Sequence, residues 1–202
     1  YEAYLFAIAD ALRQEYETVA KADLMLQIDC PDLAFGRHTL FADLSVDEFR
    51  KIARMNVEAL NHALSNIAPE QIRMHLCWGN YEGPHTHDIP LATVFDVCMK
   101  ARPQALLFEG ANPRHEHEWE DLAGARIPDD KVLIPGVIDS TSNFVEHPTL
   151  VAQRIGRYDQ DLRFGSEDLK GAFFLVRMLE GTCGHPAYDG PRHFDAHAYR
   201  TE

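Results

Sequence analysis

Three stretches between residues 72 and 109 decide the fold: IRMHLC at Ile72–Cys77, LATVFDVCMK at Leu91–Lys100 and ALLFE at Ala105–Glu109. The outer two are short apolar runs of strand length, and the middle one has helical spacing that stops before Pro103. A strand, a crossover helix and a second strand form a unit whose two strands run parallel. The same alternation extends to both sides. Tyr4–Ala22 is helical in period, and Leu24–Ile28 (LMLQI) reads as a strand ending in Asp29-Cys30-Pro31. Ser45 with Glu48 three residues on is a capping box, opening a helix to about Ile67. Val132–Ile138 (VLIPGVI) reads as a fourth strand, and Pro148–Ile155 begins another helix. Four such units without a hairpin signal predict an α/β fold with a parallel sheet. The strand-end residues Asp29, Cys77, Glu109 and Asp139 precede long polar loops, at the end of the sheet where barrels and open α/β sheets keep their chemistry.

Composition narrows the function. The chain has 202 residues, 46% hydrophobic and 25% charged, enough for one domain with a real core. Its net charge of −13 argues against nucleic acid and anionic membrane surfaces as partners, while 11 histidines among 32 acidic residues suit metal cations. No apolar run is long enough to span a membrane, and YEAYLFAIADALRQEY lacks the features of a signal peptide. Four irregularly spaced cysteines read as reduced thiols, so a cytoplasmic location is expected. Both termini fall in mid-pattern, which suggests a piece of a longer chain. No GxGxxG or P-loop motif points to a nucleotide.

His75 and Cys77 stand two apart on a strand, so both side chains face one side, and Glu109 ends the next strand. An imidazole, a thiolate and a carboxylate at adjacent strand ends suit an open zinc site; a structural histidine beside an inert cysteine is the alternative. His85-Thr86-His87-Asp88 and His115-Glu116-His117-Glu118 are metal-like in composition, but their loop positions favour solvated chain. Arg114 suits either a substrate carboxylate or a surface ion pair, Trp78 either a pocket wall or the core, and Cys98 the core.

LQIDCPDLA (Leu26–Ala34), HLCWGNYEGPHTHDIPL (His75–Leu91), LLFEGANPRHEHEWE (Leu106–Glu120) and VLIPGVIDSTSNFVEHPTLVAQRI (Val132–Ile155) together resemble cobalamin-independent methionine synthase, above all its short single-domain relatives. The resemblance implies a (β/α)8 barrel whose zinc activates a thiol for alkylation, with His75, Cys77 and Glu109 as zinc ligands and Asp29 holding the amino-acid thiol substrate. It implies methyl transfer to a thiol such as homocysteine, with a small-molecule thiol and an alkyl donor as partners. Cys30 stands where that family usually has an acid, no histidine follows Gly136-Val137-Ile138-Asp139 at the matching place, and the DCG motif carrying the fourth zinc ligand is absent.

From Gly156 the resemblance changes. GRYDQDLRFG (Gly156–Gly165), DLKGAFFLV (Asp168–Val176) and PAYDGPRHFDAHAYRTE (Pro186–Glu202) are similar to the C-terminal part of xylose isomerase, also a (β/α)8 barrel. This implies Asp159, Asp161 and Asp195 as ligands of magnesium or manganese. The isomerase's glutamate pair, metal-binding histidine and catalytic histidine and lysine have no counterpart, so isomerase turnover is not expected. The reading is thus a partial (β/α)8 TIM barrel with its early strands missing. Residues 1–155 form a methionine-synthase-like segment and residues 156–202 a xylose-isomerase-like one. Zinc-dependent methyl transfer is the leading expectation; a sugar-isomerase fragment and an inactive chimeric fragment are the rivals. Unpaired sheet edges predict self-association.

Overall fold

The computed structural model describes residues 1–80, 83–139 and 141–162, with side chains as far as Tyr158. Helix α1 (Glu2–Lys21) leads into strand β1 (Leu26–Cys30), and a short turn of helix, α2 (Phe35–His38), follows. Helix α3 (Val46–Ala63) leads to β2 (Ile72–Leu76), α4 (Leu91–Cys98) to β3 (Ala105–Glu109), and α5 (Trp119–Ala123) to β4 (Val132–Gly136). Helix α6 (Pro148–Leu162) follows β4. All three strand pairings are parallel, in the order β1-β2-β3-β4. The fold is therefore α/β, and consecutive strands lie side by side as they do in a (β/α) barrel.

The element boundaries have local causes. The Ser45 side chain accepts from the Glu48 amide while Glu48 accepts from the Ser45 amide, completing the capping box that opens α3. The first strand starts two residues later than LMLQI suggests, because Leu24 and Met25 are solvent-exposed. Leu26, Ile28 and Cys30 then point into the core, and Gln27 and Asp29 to the other face. Cys30 is thereby turned away from Asp29, and burial pushes its thiol well above the ordinary range. Cys98 is core, as its apolar neighbours suggest, with burial raising its thiol to about 12. The core lies between the sheet and α3, α4 and α6, around Phe49, Ile72, Met74, Leu76, Leu91 and Leu106.

One helix, α6, runs through the change of resemblance at Ile155–Gly156. Tyr158, just beyond it, is buried edge-on against Phe108 at 6.1 Å between ring centroids. A Cβ at Gly110 would collide with the Tyr158 hydroxyl, so glycine is what lets α6 settle onto β3. Among the described residues, no helix is long and apolar enough to cross a membrane.

Candidate metal centre at the strand ends

The pairing register explains the site. Asp29 on β1 lies directly beside His75 on β2, and cross-strand neighbours in a parallel sheet stand about 4.8 Å apart. The Asp29 carboxylate meets His75 Nδ1 at 2.8 Å. Cys77, two residues on, faces the same side, and one donor atom from each of Asp29, His75 and Cys77 falls within 4.8 Å of the other two. These three are the one metal-capable group of this kind among the described residues. With Nδ1 held by Asp29, the remaining ring nitrogen of His75 is Nε2, an arrangement in which a carboxylate orients a ligating histidine.

Burial raises the Cys77 thiol, and the Gly79 amide, donating to its sulfur at 3.3 Å, works the other way. Gly79 has φ of +79°, and a Cβ there would come within 2.7 Å of the Phe35 ring. The turn that aims this amide at the sulfur therefore requires glycine.

Glu109 lines the same mouth but is not one of the three converging groups. His75 pairs with Leu107, which leaves Glu109 two residues farther along β3. Its Oε2 is buried without a hydrogen bond among the described residues, 3.7 Å from Arg114 Nη2. Burial raises its carboxyl, against the pull of His115, Arg114 and His75. Asp139, whose Oδ1 accepts from the Thr141 amide and hydroxyl, completes the rim of a cavity of about 360 Å³.

The loops beyond the mouth depart from the expectation of solvated chain. Asp88 reaches His85 Nδ1 at 2.9 Å and His115 Nε2 at 3.3 Å, while Glu118 reaches His115 Nδ1 at 3.1 Å and accepts the Leu91 amide. The side chains of His85, His115 and Glu118 are at most 5% exposed. Trp78 is core, its ring 4.3 Å from His115 and its Nε1 donating to Ile89 O. Burial disfavours charge on His115, yet its hydrogen bonds to Asp88 and Glu118 outweigh that and push it up to about 9. Hydrogen bonds with His115 and His85 outweigh burial at Asp88 and hold its carboxyl below the usual range. Arg114 is held by Asn112, Gly79 O, Asp88 and Glu109, its ion pairs half-buried rather than on the open surface. Two His-x-x-acid pairs in successive βα loops were the signal for this network. Asp159 and Asp161 fall in the last turn of α6, but their side chains, and the whole of Asp195, lie outside the described residues.

Fold and mouth together define a parallel α/β unit with metal-capable strand ends. The relatives found by comparison are sugar isomerases. Over 93 residues the chain is 48% identical to the xylose isomerase of Thermus thermophilus and 62% identical to that of Thermus caldophilus. Each match takes in 46% of this chain and 21% of the relative, so the chain spans about a fifth of their length. No family model matches, and no solved structure matches. These findings overturn the expectation of zinc-dependent methyl transfer to a thiol: the relatives are isomerases, and nothing shows a methionine-synthase region. The physical reason is that a parallel sheet brings together whatever its strand ends carry. A His-x-Cys pair beside a carboxylate defines a donor set without defining a reaction.

Proposed function

We propose that the chain is a segment of a cytoplasmic, divalent-metal-dependent aldose–ketose isomerase of the xylose isomerase type. The identity to the two Thermus enzymes carries this reading. Asp159, Asp161 and Asp195 are the residues proposed to hold magnesium or manganese, since hard carboxylate oxygens suit such ions. Manganese binding to the full chain, followed by its relaxation of water protons, tests the reading. Binding that is lost in Asp161→Asn is the expected result, and formation of D-xylulose from D-xylose would extend it to turnover. Equal manganese binding by wild type and variant would overturn it.

A second metal reading rests on a separate observation, the convergence of Asp29, His75 and Cys77. Nitrogen and sulfur donors suit zinc, with Glu109 or solvent completing the coordination. Bound there, zinc would supply charge that keeps the Cys77 sulfur deprotonated. Asp29 would orient the imidazole, and Arg114 would hold Glu109 at the rim. Elemental analysis should find zinc in the wild type and not in His75→Ala or Cys77→Ser. Equal zinc in all three would remove the site.

A further inference from the structure

We propose that the groove between α1 and α3 binds a small organic cation, an amine carried on an apolar body. The groove has a volume of about 270 Å³ and lies beside β1, sharing with the strand-end mouth only Asp29. Leu5, Leu12, Val57 and Leu60 give it apolar walls, and Asp32 and Asn56 contribute polar groups. Asp32 lies in the turn Pro31–Leu33 that follows β1, where its Oδ2 accepts from Asn56 Nδ2 at 2.9 Å.

Asn56 is 8% exposed, and its Oδ1 is buried with no hydrogen-bond partner among the described residues. The Asp32 carboxyl is raised by burial and by the nearby Asp29 charge, against hydrogen bonds from Asn56 and its own backbone. None of these influences is a cation. Two acceptors, one of them a carboxylate, thus line an apolar groove whose donors to Asp32, the Asn56 amide and the Asp32 backbone, are both uncharged. An ammonium group brings three donors and a positive charge, and a hydrocarbon body matches the walls. An alcohol brings one donor and no charge, and a carboxylate meets repulsion from Asp32.

The experiment is a calorimetric titration of the full chain with phenethylamine, 2-phenylethanol and 3-phenylpropionate at neutral pH. Phenethylamine should bind saturably, at least tenfold more tightly than the alcohol, and the carboxylate not detectably. A net charge of −13 attracts any amine, so Asp32→Asn provides the control. It should remove the tenfold preference and leave alcohol binding unchanged. Equal affinity for all three compounds, absence of saturable amine binding, or an unchanged preference in Asp32→Asn would overturn the proposal. Should Asp32→Asn not fold, Ile8→Trp narrows the groove from a partly exposed wall position. Unchanged phenethylamine affinity in that variant would also overturn the proposal, and lost binding would sustain it.

Discussion

The mouth between β1 and β2 and the network under the next two loops are both built from histidines and carboxylates, at the same end of one sheet. They differ in access and in how the imidazoles are used. At the mouth, Asp29 is 58% exposed and His75 30%, and one ring nitrogen is engaged by Asp29. In the network, both nitrogens of His115 face carboxylates, Nε2 toward Asp88 and Nδ1 toward Glu118. An imidazole with acceptors on both sides is held as a double donor and therefore as a cation. It has no lone pair left for a metal. The lesson is that a histidine beside acids becomes a ligand or a brace according to how many of its nitrogens the fold has already used.

The largest effect that separates the two clusters comes from Asp88→Ala. It leaves His85, His115 and Arg114 without the half-buried carboxylate they share, and breaking one side of a fully buried ionic group, about 3–5 kcal/mol, is the ceiling of the loss. Urea unfolding at pH 7 should show that loss. A change below about 1 kcal/mol would mean that the network is not a brace.

Next in size is pH. The folded pKa of His115 is about 9, above the ordinary histidine value of about 6.5. The stabilising share of this group is therefore complete below about pH 6.5 and is lost as pH rises through about 9, with a ceiling of about 3 kcal/mol. Asp88 has the opposite sign: its lowered carboxyl stabilises above the ordinary aspartate range and loses that contribution in acid. Unfolding free energies from pH 6 to 10 should fall in the wild type and stay flatter in His115→Gln. Parallel curves would refute the assignment of the charge.

The two clusters also differ in how far they were legible beforehand. His75 and Cys77 could be paired from sequence because strand periodicity is two, and the Ala105–Glu109 strand has the bounds its apolar run suggests. Asp29 as the third converging group is not visible in the sequence, since it depends on the β1–β2 register, which places it opposite His75. The sequence of the buried network suggests solvated loop because polar composition reports hydration only when no partner is near. Here the partners of His115 come from its own loop and from Asp88, 27 residues away. The reaction is not legible for a related reason: strand-end motifs specify donors, and the chemistry depends on groups that the rest of a barrel supplies.

A metal should sharpen the contrast by acting on the mouth alone. At zinc concentrations about 100 times the dissociation constant, the folded state should gain about 2.7 kcal/mol by mass action. Cys77→Ser should lose that gain, while Asp88→Ala, if it folds, should keep a similar increment over its own lower baseline. An identical zinc response in wild type and Cys77→Ser would place the bound metal elsewhere.

The smallest expected effect is that of His75→Ala measured in the presence of chelator. At 2.8 Å the His75–Asp29 pair is shorter than any of the histidine–acid contacts of the network, and length alone would suggest a costly loss. Exposure argues the other way. Asp29 can exchange the imidazole for water, and the Coulomb attraction between the two groups is screened by solvent, so exposed pairs of this kind contribute about 0–1 kcal/mol. Removing the ring should thus shift urea stability by less than about 1 kcal/mol, against the several expected for Asp88→Ala, although the Asp88 contacts are longer. If the two variants instead cost the same, the mouth is a structural element of the sheet end, and its convergence of donors needs no metal to explain it.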